Sequence, residues 1–222
     1  MRMKPDYERA AIAATQILID HGITETPIVP LPILKNYPGV RVMNFARMAD
    51  EAGVDRDDLI PLFGPRQDAA TFRLAMGIEN VEYVVVYNQR LPFEMIWRGV
   101  ARELGHIVLG HDGVTRPDEV RVAEALCFAH HFLCPRPIIR MIQVSQIPLT
   151  LSALINTVGC SDECIDDMQR IPGVRVPAVM NRKVRDLFSR GIQEYIRFHM
   201  ASPTADRSPL IDLGTYMDGY EE

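Results

Sequence analysis

No Cys-x-x-Cys pair occurs among the four cysteines, Cys127, Cys134, Cys160 and Cys164. The spacing that announces a structural zinc or a thioredoxin-like centre is missing, and reduced, buried thiols are the expectation. No apolar run approaches the roughly 18 residues of a membrane span, and residues 1–14 are charged, without the apolar stretch of a secretory signal. A soluble, cytoplasmic protein without membrane contact is expected. Basic residues are outnumbered, 24 against 29 acidic, for a formal charge of −5. That balance argues against a surface built throughout to cradle phosphates, so direct nucleic-acid binding is not expected. What the chain does have is 222 residues at 47% hydrophobic content, enough to bury a core without staples.

Apolar spacing and turn residues order the chain. Residues 5–21 carry Ile12, Ala13, Ile17 and Leu18 near helical spacing, with Gly22 as the stop. The proline-rich stretch 27–38 rules out a long helix, and Val40, Val42 and Phe45 alternate as in a short strand. Residues 48–65 read as loop with a helical turn or two. Residues 71–76 alternate and residues 83–87 form an apolar run with three consecutive valines, which predicts two paired antiparallel strands. Pro92 opens a helix running to about His111, on which Phe93, Ile96, Trp97, Val100, Leu104, Ile107 and Val108 recur at three- and four-residue intervals. A loop of turn formers, 112–116, leads to a second long helix from Pro117 to before Pro135. A short helix past Pro137, a hairpin over 149–169 broken at Gly159 and capped at Ser161, and a last helix over 179–198 complete the reading, before an acidic tail that is expected to fray.

The chemistry concentrates at Arg102-Glu103-Leu104-Gly105-His106, inside the first long helix, and at Glu124 on the second. In an H-E-x-x-H helix, histidines at i and i+4 share one face and reach one zinc ion. The glutamate between them is placed to take a proton from the metal-bound water, and a third ligand arrives from elsewhere. Here Glu103 occupies the position of the base, His106 that of the second histidine and Glu124 that of the third ligand, while Arg102 stands where the first histidine belongs. A guanidinium has no lone pair to give a metal and stays protonated. The geometry of two facing carboxylates gives this cation a use: pairing with Glu124 where an ion would sit.

The wider pattern resembles the ImmA/IrrE family of metallopeptidases. Arg102 to His111 reads as that family's H-E-L-G-H helix with its apolar continuation, and Glu124-Ala125-Leu126-Cys127-Phe128-Ala129 with Phe132-Leu133-Cys134-Pro135 as its second-helix segment, with Leu126 in place of the usual asparagine. The resemblance covers roughly residues 70–170 and implies an α+β, zincin-like fold: a small antiparallel sheet on helices that include the site helix, then a helical C-terminal region. It implies a zincin-like domain over 1–145, a helical hairpin and terminal helix over 146–200 and a flexible acidic tail over 201–222.

The resemblance further implies zinc as cofactor, Glu103 as catalytic base and His106 with Glu124 as metal ligands, an incomplete set because of Arg102. Cys127, one turn past Glu124, and His111 are the auxiliary candidates. The five-residue step from His106 turns His111 off the ligand stripe, toward a helix-dipole role. His21, His130, His131 and His199 read as surface or packing histidines. The expected function is therefore a metallopeptidase-like protein of phage, mobile-element or regulatory context, weak or silent in hydrolysis, with a protein or peptide in the former substrate cleft. An active protease cutting a repressor or partner is the alternative. A DNA-associated regulator using Arg170, Arg175, Arg182, Lys183 and Arg185 comes third.

Overall fold

A computed structural model describes residues 3–55, 57–59, 68–76, 80–111, 116–145, 147–160, 162–201 and 209–221. The chain is α+β. Helix α1 (Tyr7–Asp20) is capped by Asp6, whose side chain accepts from the Arg9 N–H, and α2 (Pro30–Lys35) begins on a proline at its first position, where a missing N–H costs nothing. Strand β1 (Val40–Asn44) passes directly into α3 (Phe45–Ala52), because the Asn44 side chain accepts from the Arg47 N–H and caps the new helix. Phe45 therefore starts a helix and does not extend the strand as its alternation predicted.

Strands β2 (Ala69–Met76) and β3 (Asn80–Tyr87) pair antiparallel, and β1 adds to the far edge of β3 in parallel, for the order β1-β3-β2. The sheet is thus mixed, which corrects the expectation of an antiparallel one. A parallel neighbour leaves no local turn signal in the sequence, since its connection to β3 runs through α3 and β2. The valine run of β3 is explained by burial on both sides. Val85 joins the main core beneath the long helices, whereas Val84 and Val86 pack with Met43, Phe45 and Ala49 under α3.

Helices α4 (Phe93–Val108) and α5 (Asp118–Leu133) pair closely, and the contact is tight at one glycine: a Cβ on Gly105 would stand 3.0 Å from the Phe128 ring. Behind them lie α6 (Arg136–Val144), α7 (Leu151–Val158), α8 (Asp162–Arg170) and α9 (Ala178–Ala201). The main core reaches from Ala10 of α1 through Phe128 and Phe132 to Phe188 and Ile192 of α9. The predicted loop positions 112–115 and the Ser161 cap lie outside the described residues.

The expected loose tail is packed from residue 209 onward. Leu210 bridges to Thr150, α10 (Gly214–Met217) follows, and Tyr216 is 1% exposed with its hydroxyl donating to the Cys134 carbonyl at 2.8 Å. The buried Arg136 guanidinium fastens the same segment, donating to the carbonyls of Asp218, at 3.0 Å, and Val174. Acidic composition predicted fraying; one tyrosine and one buried arginine override it.

Candidate functional site

Helix α4 carries Arg102, Glu103 and His106 past the start of β2. The Glu103 carboxylate is 6% exposed. One oxygen, Oε2, accepts from the Thr71 hydroxyl at 2.6 Å, and the other, Oε1, accepts from Arg102 Nε and Nη2 at 3.1 and 2.8 Å. Arg102 Nη2 also donates to the Ala69 carbonyl at 2.8 Å and lies 3.0 Å from Asp68 Oδ1. Burial pushes the Glu103 carboxyl up, and Arg102 and Thr71 oppose that shift by favouring the anion. For Arg102 burial works against the charge, but Glu103 and Asp68 outweigh it and the guanidinium is held above its ordinary range. Asp68 is itself pressed against the helix, since a Cβ on Gly99 would meet its Cγ at 2.5 Å.

Arg102 was expected to pair with Glu124, and it does not. The Glu124 carboxylate, 1% exposed on α5, is already enclosed. Its Oε1 accepts from the Asp6 backbone N–H at 2.8 Å and from the Arg116 guanidinium, and its Oε2 meets His111 Nε2 at 2.9 Å. Arg102 is drawn the other way, because Asp68 and the Ala69 carbonyl at the start of β2, with Glu103 on its own helix, offer it two carboxylates and a carbonyl.

His111 is the residue whose place sequence spacing misjudged. Helix α4 ends at Val108, Gly110 takes a left-handed φ of +65°, and the His111 N–H returns to the His106 carbonyl at 2.9 Å. That reversal cancels the rotation a continuing helix would have imposed. The His111 ring stands edge-on to His106, with Nδ1 to Nδ1 at 3.1 Å, and is 5% exposed. The signal was present in the Gly-His pair at the predicted helix end.

Carboxylate, imidazole and imidazole therefore form a chain, Glu124–His111–His106. A proton on His111 Nε2 facing the carboxylate leaves its Nδ1 to accept from His106 Nδ1–H, and leaves His106 Nε2 unprotonated. Burial is the main reason His106 drops to about 4, with His111, Arg102 and Arg121 adding to it; burial likewise lowers His111, against the pull of Glu124. Both rings are neutral at neutral pH. Glu103, His106 and His111 line one cavity of about 240 Å³, with Thr71, Tyr83 and Arg121 on its other sides.

These donors do not fit a tightly held zinc ion as they stand. The His111 ring occupies the space between His106 and Glu124, both Glu124 oxygens are taken, and Glu103 is held by a cation and a hydroxyl. Among the described residues no group of three or more His, Cys, Asp and Glu stands ready to hold a metal ion. Cys127 is buried with its thiol directed to the Tyr7 carbonyl at 3.5 Å and is pushed up to about 12, chiefly by burial. It packs as a neutral thiol. His130 and His131 are buried inside α5, and His21 is exposed.

Set beside family models, curated proteins and solved structures, the chain matches none of them.

Proposed function

We propose that this chain is a metallopeptidase-like protein of the ImmA/IrrE type in which the cleft has given up zinc-dependent hydrolysis and retains a binding role toward a protein or peptide partner. The observation that carries the reading is the ion pair between Arg102 and Glu103. A carboxylate committed to a permanent cation and to Thr71 is a poor acceptor for a water proton. The chain Glu124–His111–His106 supports the same reading, because it satisfies the remaining polar groups of the cleft by one another. A buried like-charge cluster that once needed a divalent ion is here neutralised by arginines. The cavity bounded by Thr71 and Tyr83 of the sheet and by His106 of α4 is the surface offered to the partner.

Incubating the full chain with added zinc and an unfolded protein substrate tests the reading. No cleavage above a zinc-only control is expected. Proteolysis that a chelator abolishes and zinc restores would overturn it.

A further inference from the structure

The cavity between the sheet and α4 runs against the charge of the chain. The formal charge is −5, yet among the described residues that line this cavity Arg73 and Arg121 are cations and Glu103 is the one carboxylate. Arg102 already balances Glu103, so the two other guanidiniums set the sign of the cavity. Arg73 lies opposite Tyr83 in the β2–β3 register, two residues from Thr71 on the same face, and is exposed. Arg121 comes from α5. Its Nη1 donates to the His111 carbonyl at 2.7 Å, which holds the guanidinium beside the turn that follows α4, and its Nη2 pairs with Asp118. That carboxylate is 88% exposed, so water screens the pair and cancels little of the charge inside. A guanidinium has five N–H donors, more than the two contacts of Arg121 use.

His106 supplies the opposite polarity. With its Nδ1–H given to His111, its Nε2 keeps a lone pair and can only accept. Ile107 adds an apolar wall, and the Thr71 hydroxyl is committed to Glu103. The ligand that answers this set has a carboxylate for the guanidiniums, an N–H for the imidazole nitrogen and an apolar portion for Ile107. The last residue of a polypeptide carries all three on one α-carbon: carboxylate, amide N–H and side chain. A glutamate or aspartate inside a chain spends its side chain on the carboxylate and has none left for Ile107. The cavity holds about 240 Å³, below the roughly 300–1,000 Å³ of pockets for drug-sized ligands, so it admits a residue and not a folded segment.

We propose that the cavity captures the C-terminal residue of a partner polypeptide, with Arg73 and Arg121 on its carboxylate and His106 on its N–H, an inference that rests on the reading of the cleft as a peptide-binding one. Charge-assisted bonds from a guanidinium fix the plane of a carboxylate as well as its charge. A chain presents its terminal carboxylate once, so the cavity selects an end and needs no bond to be cut.

Three peptides titrated into the isotope-labelled full chain, followed by backbone amide shifts, are the test: acetyl-Ala-Ala-Leu with a free carboxylate, the same peptide amidated, and acetyl-Ala-Glu-Ala amidated. The free acid is expected to shift the amides of Thr71, Tyr83 and His106, with both amidated peptides at least about tenfold weaker, the loss of one charged hydrogen-bond partner. Arg121→Met weakens the free acid about tenfold as well, and Arg73→Met, at an exposed strand position, does the same and keeps the test if Arg121→Met does not fold. Added salt weakens binding. Equal affinity for acid and amide would overturn capture of the terminus while leaving a peptide cleft, and equal affinity for the internal glutamate would overturn it in favour of an acidic segment. No shifts with the free acid would overturn it outright. Zinc-restored proteolysis of an unfolded substrate would instead overturn the reading beneath, and leave binding of the free acid to decide this one.

Discussion

Arg102 donates from both Nε and Nη2 to a single oxygen of Glu103, its immediate neighbour on α4. Consecutive helical residues do not face each other, so the contact requires a long side chain drawn back by a third party. Asp68 and the Ala69 carbonyl, at the start of β2, are that third party. Removing the cation leaves a buried carboxylate without its counter-charge. Arg102→Met is expected to cost about 3 kcal/mol, and Glu103→Gln in the same chain to recover much of it. Urea unfolding of the two singles and the double reads the coupling; simple additivity would mean that the pair carries no interaction of its own.

Gly99→Ala attacks the same network from behind. A methyl group there collides with Asp68 at 2.5 Å, so the carboxylate must leave its place beside Arg98 and Arg102. A loss of about 1–3 kcal/mol is expected, the usual cost of overpacking. Circular-dichroism melts of Gly99→Ala and Gly99→Ser check it, and an unchanged midpoint would show that Asp68 moves freely.

The histidine pair makes stability depend on acid. His106 falls from 6.5 to about 4 on folding, and His111 is lowered as well. Between those values the unfolded chain binds a proton that the folded chain refuses. The contribution is thus complete above pH 6.5 and lost as pH falls toward 4, by up to about 3 kcal/mol for His106. Glu103 runs the other way: its folded value is raised above 4.5, so its contribution is present below 4.5 and declines as pH rises through the folded value. In chelator, His106→Asn flattens the rise of unfolding free energy between pH 4 and 6.5. An unaltered slope would place the acid sensitivity elsewhere.

The C-terminal segment is structural. Tyr216→Ala removes a ring that is 1% exposed and the hydrogen bond to Cys134, for an expected loss of about 3–5 kcal/mol, whereas Tyr216→Phe loses only the bond and about 1 kcal/mol. Thermal unfolding ranks the pair. Equal midpoints for Tyr216→Ala and wild type would mean that the segment does not contribute.

The long helices were legible because each buries a stripe: Val100 and Leu104 on α4, and Ala125 and Phe132 on α5, recur at helical intervals and are all at 0% exposure, whereas Phe93, which the same spacing put on the buried face, is 55% exposed at the start of α4. The paired strands were legible in the valine run. The parallel partner β1 was not, because pairing between distant segments leaves no local pattern. At the site, Glu103 and His106 were identified and do line one cavity. Two things escaped. The partner of Arg102 depends on which end of a strand the helix passes, and the recruitment of His111 depends on one left-handed glycine.

The most direct measurement is zinc affinity of Arg102→His against wild type, by competition with a calibrated chelator. With the cation gone and an imidazole one turn from His106, one additional zinc is expected, bound at least roughly tenfold more tightly than at the wild-type cleft. Equal cleft affinity in the two proteins would contradict the claim that Arg102 stands in a metal ligand's place.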